Sequence, residues 1–327
     1  MIRIAMALLL MVFCSAKLAS AQAPVRVMTG YAATSGPHAV LWMAREAGLF
    51  DKNGIRAEIA YIRSGSTMAQ TLVSGEIQMS QMGGPAMLAA GVAGMDVTFV
   101  AVALNTTPIV LMGTVSRMEE LKGKGVGVTR YGSNTDISAR FAIRKAGLQP
   151  EKDVALIQLE DYPGIMGGIQ SGRIAAGALA DPFTDHAKRL GYKEIADLAA
   201  MGLEFPFVGI ATKKSYVKDN QDTVQRFVRA YTEAIALYKN NRELAMKVTS
   251  KYTGIKDAAI LASTVDFYAP KLQRVPHATA GGIRFVLDQV AIREPKAKNF
   301  APETFMDTRF VKQLEDSGFI KSLYSKE

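Results

Sequence analysis

Apolar and polar side chains alternate from Val25 to Met28, the period of a half-buried strand. Beyond Tyr31 the chain reaches Ser35-Gly36-Pro37-His38, where Ser35 is placed to cap a helix with Pro37 in its first turn. That helix gathers Val40, Leu41, Ala44 and Ala47 on one face and stops at Gly48. A second strand over 56–62 runs into Ser64-Gly65-Ser66-Thr67, another cap, before a helix with Met68 and Leu72 inward. A third strand over 77–82 leads to Gly83-Gly84-Pro85 and a helix through Met87 and Leu88. The near-continuous apolar run from Val97 to Leu104 suits a strand covered on both faces. Further strands are predicted over 109–113, 125–129, 154–159, 174–179 and 207–212. Between them lie a short helix with a Ser116/Glu119 capping box, a helix after Gly132-Ser133-Asn134-Thr135 and one after Asp161-Tyr162-Pro163-Gly164. The last third turns helical: Val224, Phe227, Val228, Tyr231, Ile235 and Tyr238 form one stripe, and further helices fall around 244–252, 258–268, 283–290 and 310–314. Alternating strands and helices of these lengths predict an α/β fold with mainly parallel sheets.

The landmarks recur. Ser74-Gly75-Glu76-Ile77 has Pro85 eleven positions past its serine; Ser171-Gly172-Arg173-Ile174 has Pro182 at the same spacing, 97 residues on. Ala47-Gly48-Leu49 is answered by Ala146-Gly147-Leu148, and Ser35-Gly36-Pro37 by Gly132-Ser133-Asn134. Four landmarks recurring in order, with a drift of two or three residues in spacing, point to two similar lobes. The expected organisation is a leader over 1–21, the first part of lobe I over 22–107, lobe II over 108–205, and a return to lobe I with C-terminal helices over 206–327. The tail is expected to pack on the first lobe and link both.

Composition narrows the chemistry. The start has the basic, apolar and small-residue regions of a secretory signal peptide, which places the protein in the periplasm with cleavage near Ala21. The only cysteine, Cys14, lies inside that leader, so the mature chain is expected to hold no disulfide, thiolate metal site or cysteine nucleophile. Loss of Arg3 and Lys17 with the leader lowers the formal charge from +9 to +7. The basic residues are scattered rather than striped, which argues against a nucleic-acid partner.

Ligands of parallel α/β sheets sit where strands end and helices begin, because free backbone N–H groups and positive dipole ends point there. The candidate binding residues are therefore Ser35, Gly36, His38, Ser64, Gly65, Ser66, Thr67 and Gly84 from lobe I, and Ser133, Asn134, Thr135, Tyr162 and Asp181 from lobe II. Tyr31, Trp42, Tyr131, Tyr162 and Phe183 are placed to stack on an organic body. Arg63 and Arg130 are placed to pair with a carboxylate or sulfonate; Asp161 and Asp181 would instead suit an ammonium or heterocyclic N–H. Catalytic and metal sites are not expected. Gly125-Val126-Gly127 lies within a strand and lacks the third glycine of a dinucleotide fingerprint, His38, His186 and His277 have no metal-ligand spacing, and no G-x-S-x-G elbow occurs.

Arg45 to Ile55, then Ser64-Gly65-Ser66, Ser74-Gly75-Glu76-Ile77, Gly83-Gly84-Pro85 and Leu121 to Val128, resemble the nitrate, sulfonate and taurine class of ABC-transporter substrate-binding proteins, a class with a domain like the yeast thiamine-pyrimidine protein. The likeness covers most of residues 25–240. It implies the type II periplasmic-binding fold: two doubly wound lobes joined by two crossovers, with the ligand between them. It also implies a monomer that delivers a small organic anion to a membrane ABC permease and its ATPase, with no cofactor. Members of the class often carry an Asp after the Ser-Gly-x-Ile landmark, where this chain has Gln78 and Ala175. The alternative ligands are a pyrimidine-type thiamine precursor or a zwitterion; the alternative roles are a non-transport sensor or a pyrimidine-synthesising enzyme. The enzyme reading is at odds with a mature chain free of cysteine.

Overall fold

The computed structural model describes residues 23–201 and 203–325, so the predicted leader and its cleavage site lie outside the described residues. Two five-stranded sheets organise the chain. The first contains β1 (Val25–Tyr31), β2 (Ile55–Tyr61), β3 (Met79–Met82), β4 (Val97–Thr106) and, much later, β10 (Glu204–Lys213), in the order β2-β1-β3-β10-β4. The second contains β5 (Val110–Gly113), β6 (Gly125–Val128), β7 (Ala155–Gln158), β8 (Ala176–Leu179) and β9 (Lys193–Asp197), in the order β7-β6-β8-β5-β9. The two orders correspond strand for strand, as a duplicated unit would.

Each sheet is mixed rather than wholly parallel, and the crossings supply the reason. β4 ends at the seam between the lobes and β5 starts there, so β5 runs away from the seam, antiparallel to β8 and β9. The return is the mirror case: β10 leaves the seam antiparallel to β3 and β4. The remaining strands pair in parallel, β1 with β2 and β3, β6 with β7 and β8. Their carboxyl ends consequently face one another across the seam.

Helices cover both sheets. Lobe I carries α1 (Ala39–Glu46), α2 (Leu49–Lys52), α3 (Gly65–Ser74) and α4 (Gly84–Val92); lobe II carries α5 (Asn134–Lys145), α6 (Tyr162–Gln170) and α7 (Phe183–Arg189). After β10 come α8 (Lys214–Asp219), α9 (Gln221–Asn240), α10 (Arg242–Thr253), α11 (Ala258–Tyr268), α12 (Ala280–Ala291), α13 (Arg309–Asp316) and α14 (Phe319–Ser322). All six residues of the predicted apolar stripe on α9 are buried. The tail also ties the lobes together: Phe285 of α12 meets Phe141 of α5 edge to face at 5.5 Å, and Arg144 Nη2 donates to Gln289 Oε1 at 2.8 Å. Among the described residues no helix is long and apolar enough to cross a membrane.

β9 escapes the sequence pattern because it is a largely exposed edge strand, Lys193-Glu194-Ile195-Ala196-Asp197, with little apolar alternation. The Ser116/Glu119 capping box does not form. The turn there starts at Met118, and the Ser116 N–H donates to Glu120 at 3.3 Å. Trp42, a sequence candidate for ligand stacking, is instead core. It is fully buried, stacked on Tyr252 at 4.7 Å and edge-on to Tyr31 at 5.3 Å. Trp42→Ala is therefore expected to destabilise the fold by about 3–5 kcal/mol, read as a lowered urea midpoint with unchanged slope. A loss below about 1 kcal/mol would mean that α1 and α10 can collapse into the gap.

Candidate ligand-binding cleft

Because parallel strands deliver their chains to the seam, helices α3, α4, α5 and α6 all begin there, and His38 stands just before the start of α1. Each start leaves backbone N–H groups without intrahelical partners. In α3 the Ser64 hydroxyl accepts from the Ser66 N–H at 3.3 Å, while the Ser64 N–H donates to the Ala32 carbonyl at 3.0 Å. Ser64 holds φ at 74°, a strained value for a residue with a Cβ, so this corner is held by its surroundings. Asp161 caps α6, accepting from the Gly164 N–H at 2.8 Å. In α5 the cap Ser133 is part of a triangle of hydroxyls with Thr129 and Thr135, each pair 2.9 Å apart. α4 begins after Gly83, where a Cβ would run into the Asn134 amide of the opposite lobe.

These starts enclose a cavity of about 30 Å³, roughly the share of liquid volume of one water. Of the sequence candidates, His38, Ser64, Gly65, Ser133, Asn134, Thr135 and Tyr162 line it. Ser35, Gly36, Ser66, Thr67, Gly84 and Asp181 do not. Ser35 sits behind the wall, bonded to His38 Nδ1 at 2.9 Å and to the Tyr162 phenol. It makes no side-chain cap, so its predicted capping role is corrected. Gly36 N–H donates to the Asp181 carbonyl at 2.9 Å, and Ser66 Oγ donates to the Tyr131 carbonyl at 2.6 Å; both bonds cross between lobes. Ala32, Ala33, Gly83, Ala86, Thr129 and Phe207 line the cavity without having been among the candidates. Thr129 and Gly83 carried a signal, since both stand at predicted strand ends.

The charged candidates are engaged elsewhere. Arg63 of lobe I pairs with Glu160 at 3.1 Å and Asp161 at 3.3 Å of lobe II, and Arg130 pairs with the same Glu160 at 3.3 Å. Neither arginine lines the cavity. Tyr131 is exposed, its hydroxyl donating to the Leu156 carbonyl at 2.8 Å, while Phe183 stacks behind Tyr162 at 5.6 Å. Asn134 Nδ2 donates to the Phe207 carbonyl across the seam at 2.8 Å. The cavity wall is thus hydroxyl, amide, imidazole, phenol and helix-start N–H, with no ionised group. His38 is fully buried, and desolvation pushes its imidazole down to about 3. Among the described residues no cluster suited to a metal ion occurs.

The sign of the pH dependence follows. Folded His38 titrates near 3 instead of 6.5, so below pH 6.5 the unfolded chain takes up a proton that the folded one refuses. The stability contributed by the neutral ring is complete above pH 6.5 and is lost as pH falls toward 3. Asp181 acts in the opposite sense: burial, with Asp185 nearby, raises it to about 6, so its contribution is full below about pH 4 and is lost as pH rises through 6. Comparison with His38→Gln isolates the first effect. The stability difference, wild type minus variant, is expected to fall by about 2 kcal/mol between pH 8 and pH 5 in urea titrations. A difference that does not change with pH would mean that solvent reaches the ring.

Comparison with known proteins agrees with this geometry. The model of the NMT1-like family matches residues 20–250. A Brucella abortus (strain 2308) protein, named a binding protein with no ligand specified, is 29% identical over 241 residues, 72% of this chain and 73% of its own. The taurine-binding periplasmic protein of Escherichia coli (strain K12) is 25% identical over 229 residues, 68% of this chain and 69% of its own. The solved periplasmic aliphatic sulphonate binding protein of Escherichia coli superposes with a TM-score of 0.67 at 20% identity, over 85% of this chain and 90% of its own. With most of its length matched by that model, the chain belongs to the NMT1-like family, and it shares the fold of that solved sulphonate binding protein.

Proposed function

We propose that the protein is the extracytoplasmic receptor of an ABC importer, a monomer that closes its lobes over a small organic anion and hands it to a membrane permease and its ATPase. The observation that carries this reading is the convergence of four helix starts, from α3, α4, α5 and α6, on one cavity whose lining bears no carboxylate. Helix starts present N–H donors and positive dipole ends, which favour a carboxylate or sulfonate. Relatives named for taurine and sulfonates agree with that chemistry.

An ammonium would be best served by a carboxylate. Asp161 is occupied by the α6 cap and Arg63, and Asp181 lies outside the wall. Only about 30 Å³ remains in this cleft, so a ligand larger than a water enters it by parting the lobes. Parting breaks the Ser66–Tyr131, Asn134–Phe207 and Arg63–Glu160 contacts. Tyr162, the one aromatic candidate on the wall, would lie against the ligand body.

Ser133→Asp tests the sign of the ligand's charge. Aspartate caps a helix as well as serine, but Ser133 is buried among the Thr129 and Thr135 hydroxyls, so a melting curve establishes that the variant is folded before its binding is read. A bound anion would then meet a like charge a few ångströms away, a repulsion of about 4 kcal/mol at an effective dielectric near 20. Calorimetric titration with methanesulfonate, after native mass spectrometry of the copurified ligand, is expected to show binding weakened by at least about tenfold. Unchanged affinity would put the ligand's charge elsewhere; tighter binding would favour a cationic or heterocyclic ligand.

A further inference from the structure

The far side of the first turn of α5 faces a second cavity, of about 180 Å³, enclosed by α4 of lobe I, α5 of lobe II and the end of α12 in the tail. Cavities of about 150 Å³ can take a benzene ring. Pro85 and Ala89 of α4, Ile137 of α5, and Val290 with Ile292 of the tail give it apolar walls. Ile292 is one of the few large apolar side chains left exposed, at 56%.

Its floor is basic. Asp136 accepts from the Gly132 N–H at 2.8 Å and from Arg140 Nε at 2.7 Å. Glu151 takes both Arg140 Nη2 at 2.8 Å and Arg293 Nη2 at 2.6 Å. Two carboxylates thus serve Arg140 and Arg293, and none is left for Arg144, whose hydrogen bond goes to the neutral Gln289 side chain. Glu294 also reaches the wall, where it faces Lys296 at 3.8 Å. Burial, and then Arg140 and Arg293, lower the pKa of Arg144, against a smaller opposing effect of Asp136.

We propose that this seam cavity binds a small monoanion with an apolar ring or chain, its carboxylate or sulfonate on Arg144 and its body between Ile137 and Val290. The site is separate from the cleft and does not depend on what the cleft binds. Ser133, Asn134 and Thr135 face one cavity, while Gly132, Asp136 and Ile137 face the other. The walls come from both lobes and the tail, so an occupant is held fully only while the lobes keep this arrangement. By linkage it favours the closed form and slows exchange in the cleft.

Benzoate, with benzamide as the neutral comparison of equal shape, is the probe for calorimetric titration of the full mature chain. Benzoate is expected to bind wild type at millimolar concentration or below, and benzamide about tenfold more weakly. Arg144→Gln should weaken benzoate by about tenfold, Arg144→Lys by less, and Ser133→Asp by no more than about twofold. Val290→Phe, which fills the cavity from the tail side, should abolish binding while leaving Arg144 in place, and melting curves establish that each variant is folded. The proposal is overturned if wild type takes up no benzoate at millimolar concentration, if benzamide binds as well, or if Arg144→Gln and Val290→Phe leave the affinity unchanged. It also fails if the loss appears in Ser133→Asp, which would place benzoate in the cleft.

Discussion

Backbone N–H groups at helix starts need partners, and this molecule brings four such starts to one seam. The crossings enforce that arrangement. β5 and β10 each leave the seam and run against their neighbours, which lets β1, β2 and β3 in one sheet and β6, β7 and β8 in the other arrive there in parallel. Every helix that follows such a strand must then begin at the interface. Side chains meet part of the demand: Ser64, Ser133 and Asp161 cap their own helices, and Asn134 spans to the Phe207 carbonyl. Fold and binding surface therefore have one cause.

The contacts that hold the lobes together are individually modest. Arg63, Arg130 and Glu160 form an exposed rim network, and exposed ion pairs contribute about 0–1 kcal/mol each. The neutral bonds Asn134 to Phe207 and Gly36 to Asp181 add about 1 kcal/mol apiece. A micromolar ligand contributes about 8 kcal/mol, more than the several such contacts that part when the lobes open. The apolar contact of Phe141 in lobe II with Phe285 of the tail adds to these, so the seam is held by packing as well as by polar contacts.

How much of this was legible in the sequence depended on whether a residue's role is local. The start of a helix is a local property, so Ser64, Gly65, Ser133, Asn134 and Thr135 could be placed on the cleft from turn chemistry and spacing alone. Which way a strand-end side chain points is set by pleat and partner, and there the sequence reading failed. Tyr131 and Tyr162 both stand at strand ends, yet one is exposed and the other fills the wall. Arg63 and Arg130 were legible as basic residues beside caps, but Glu160, 97 positions beyond Arg63, captures both. Phe207 comes from the returning strand, and no local pattern says that its carbonyl meets Asn134. Ser35, Gly36 and Asp181 were rightly grouped as neighbours across the lobes, but they meet behind the cavity instead of on it.

For the anionic ligand proposed above, the division of labour around α5 gives a reason why the cleft would do without a cation. A guanidinium in the cavity would have to be desolvated on closure and would leave a buried, unpaired charge whenever the ligand was gone. Hydroxyls, a neutral His38 and helix-start amides carry no such penalty, since they can pair with one another, as Thr129, Ser133 and Thr135 do. Positive charge is placed instead on the far side of the same helix, in Arg144 beside the paired Arg140 and Arg293, and across a chain whose formal excess without the predicted leader is seven. From there it raises the potential that an approaching anion meets without entering the first shell of contacts. Attraction and grip are thus assigned to different groups, which lets the grip be released when the lobes part.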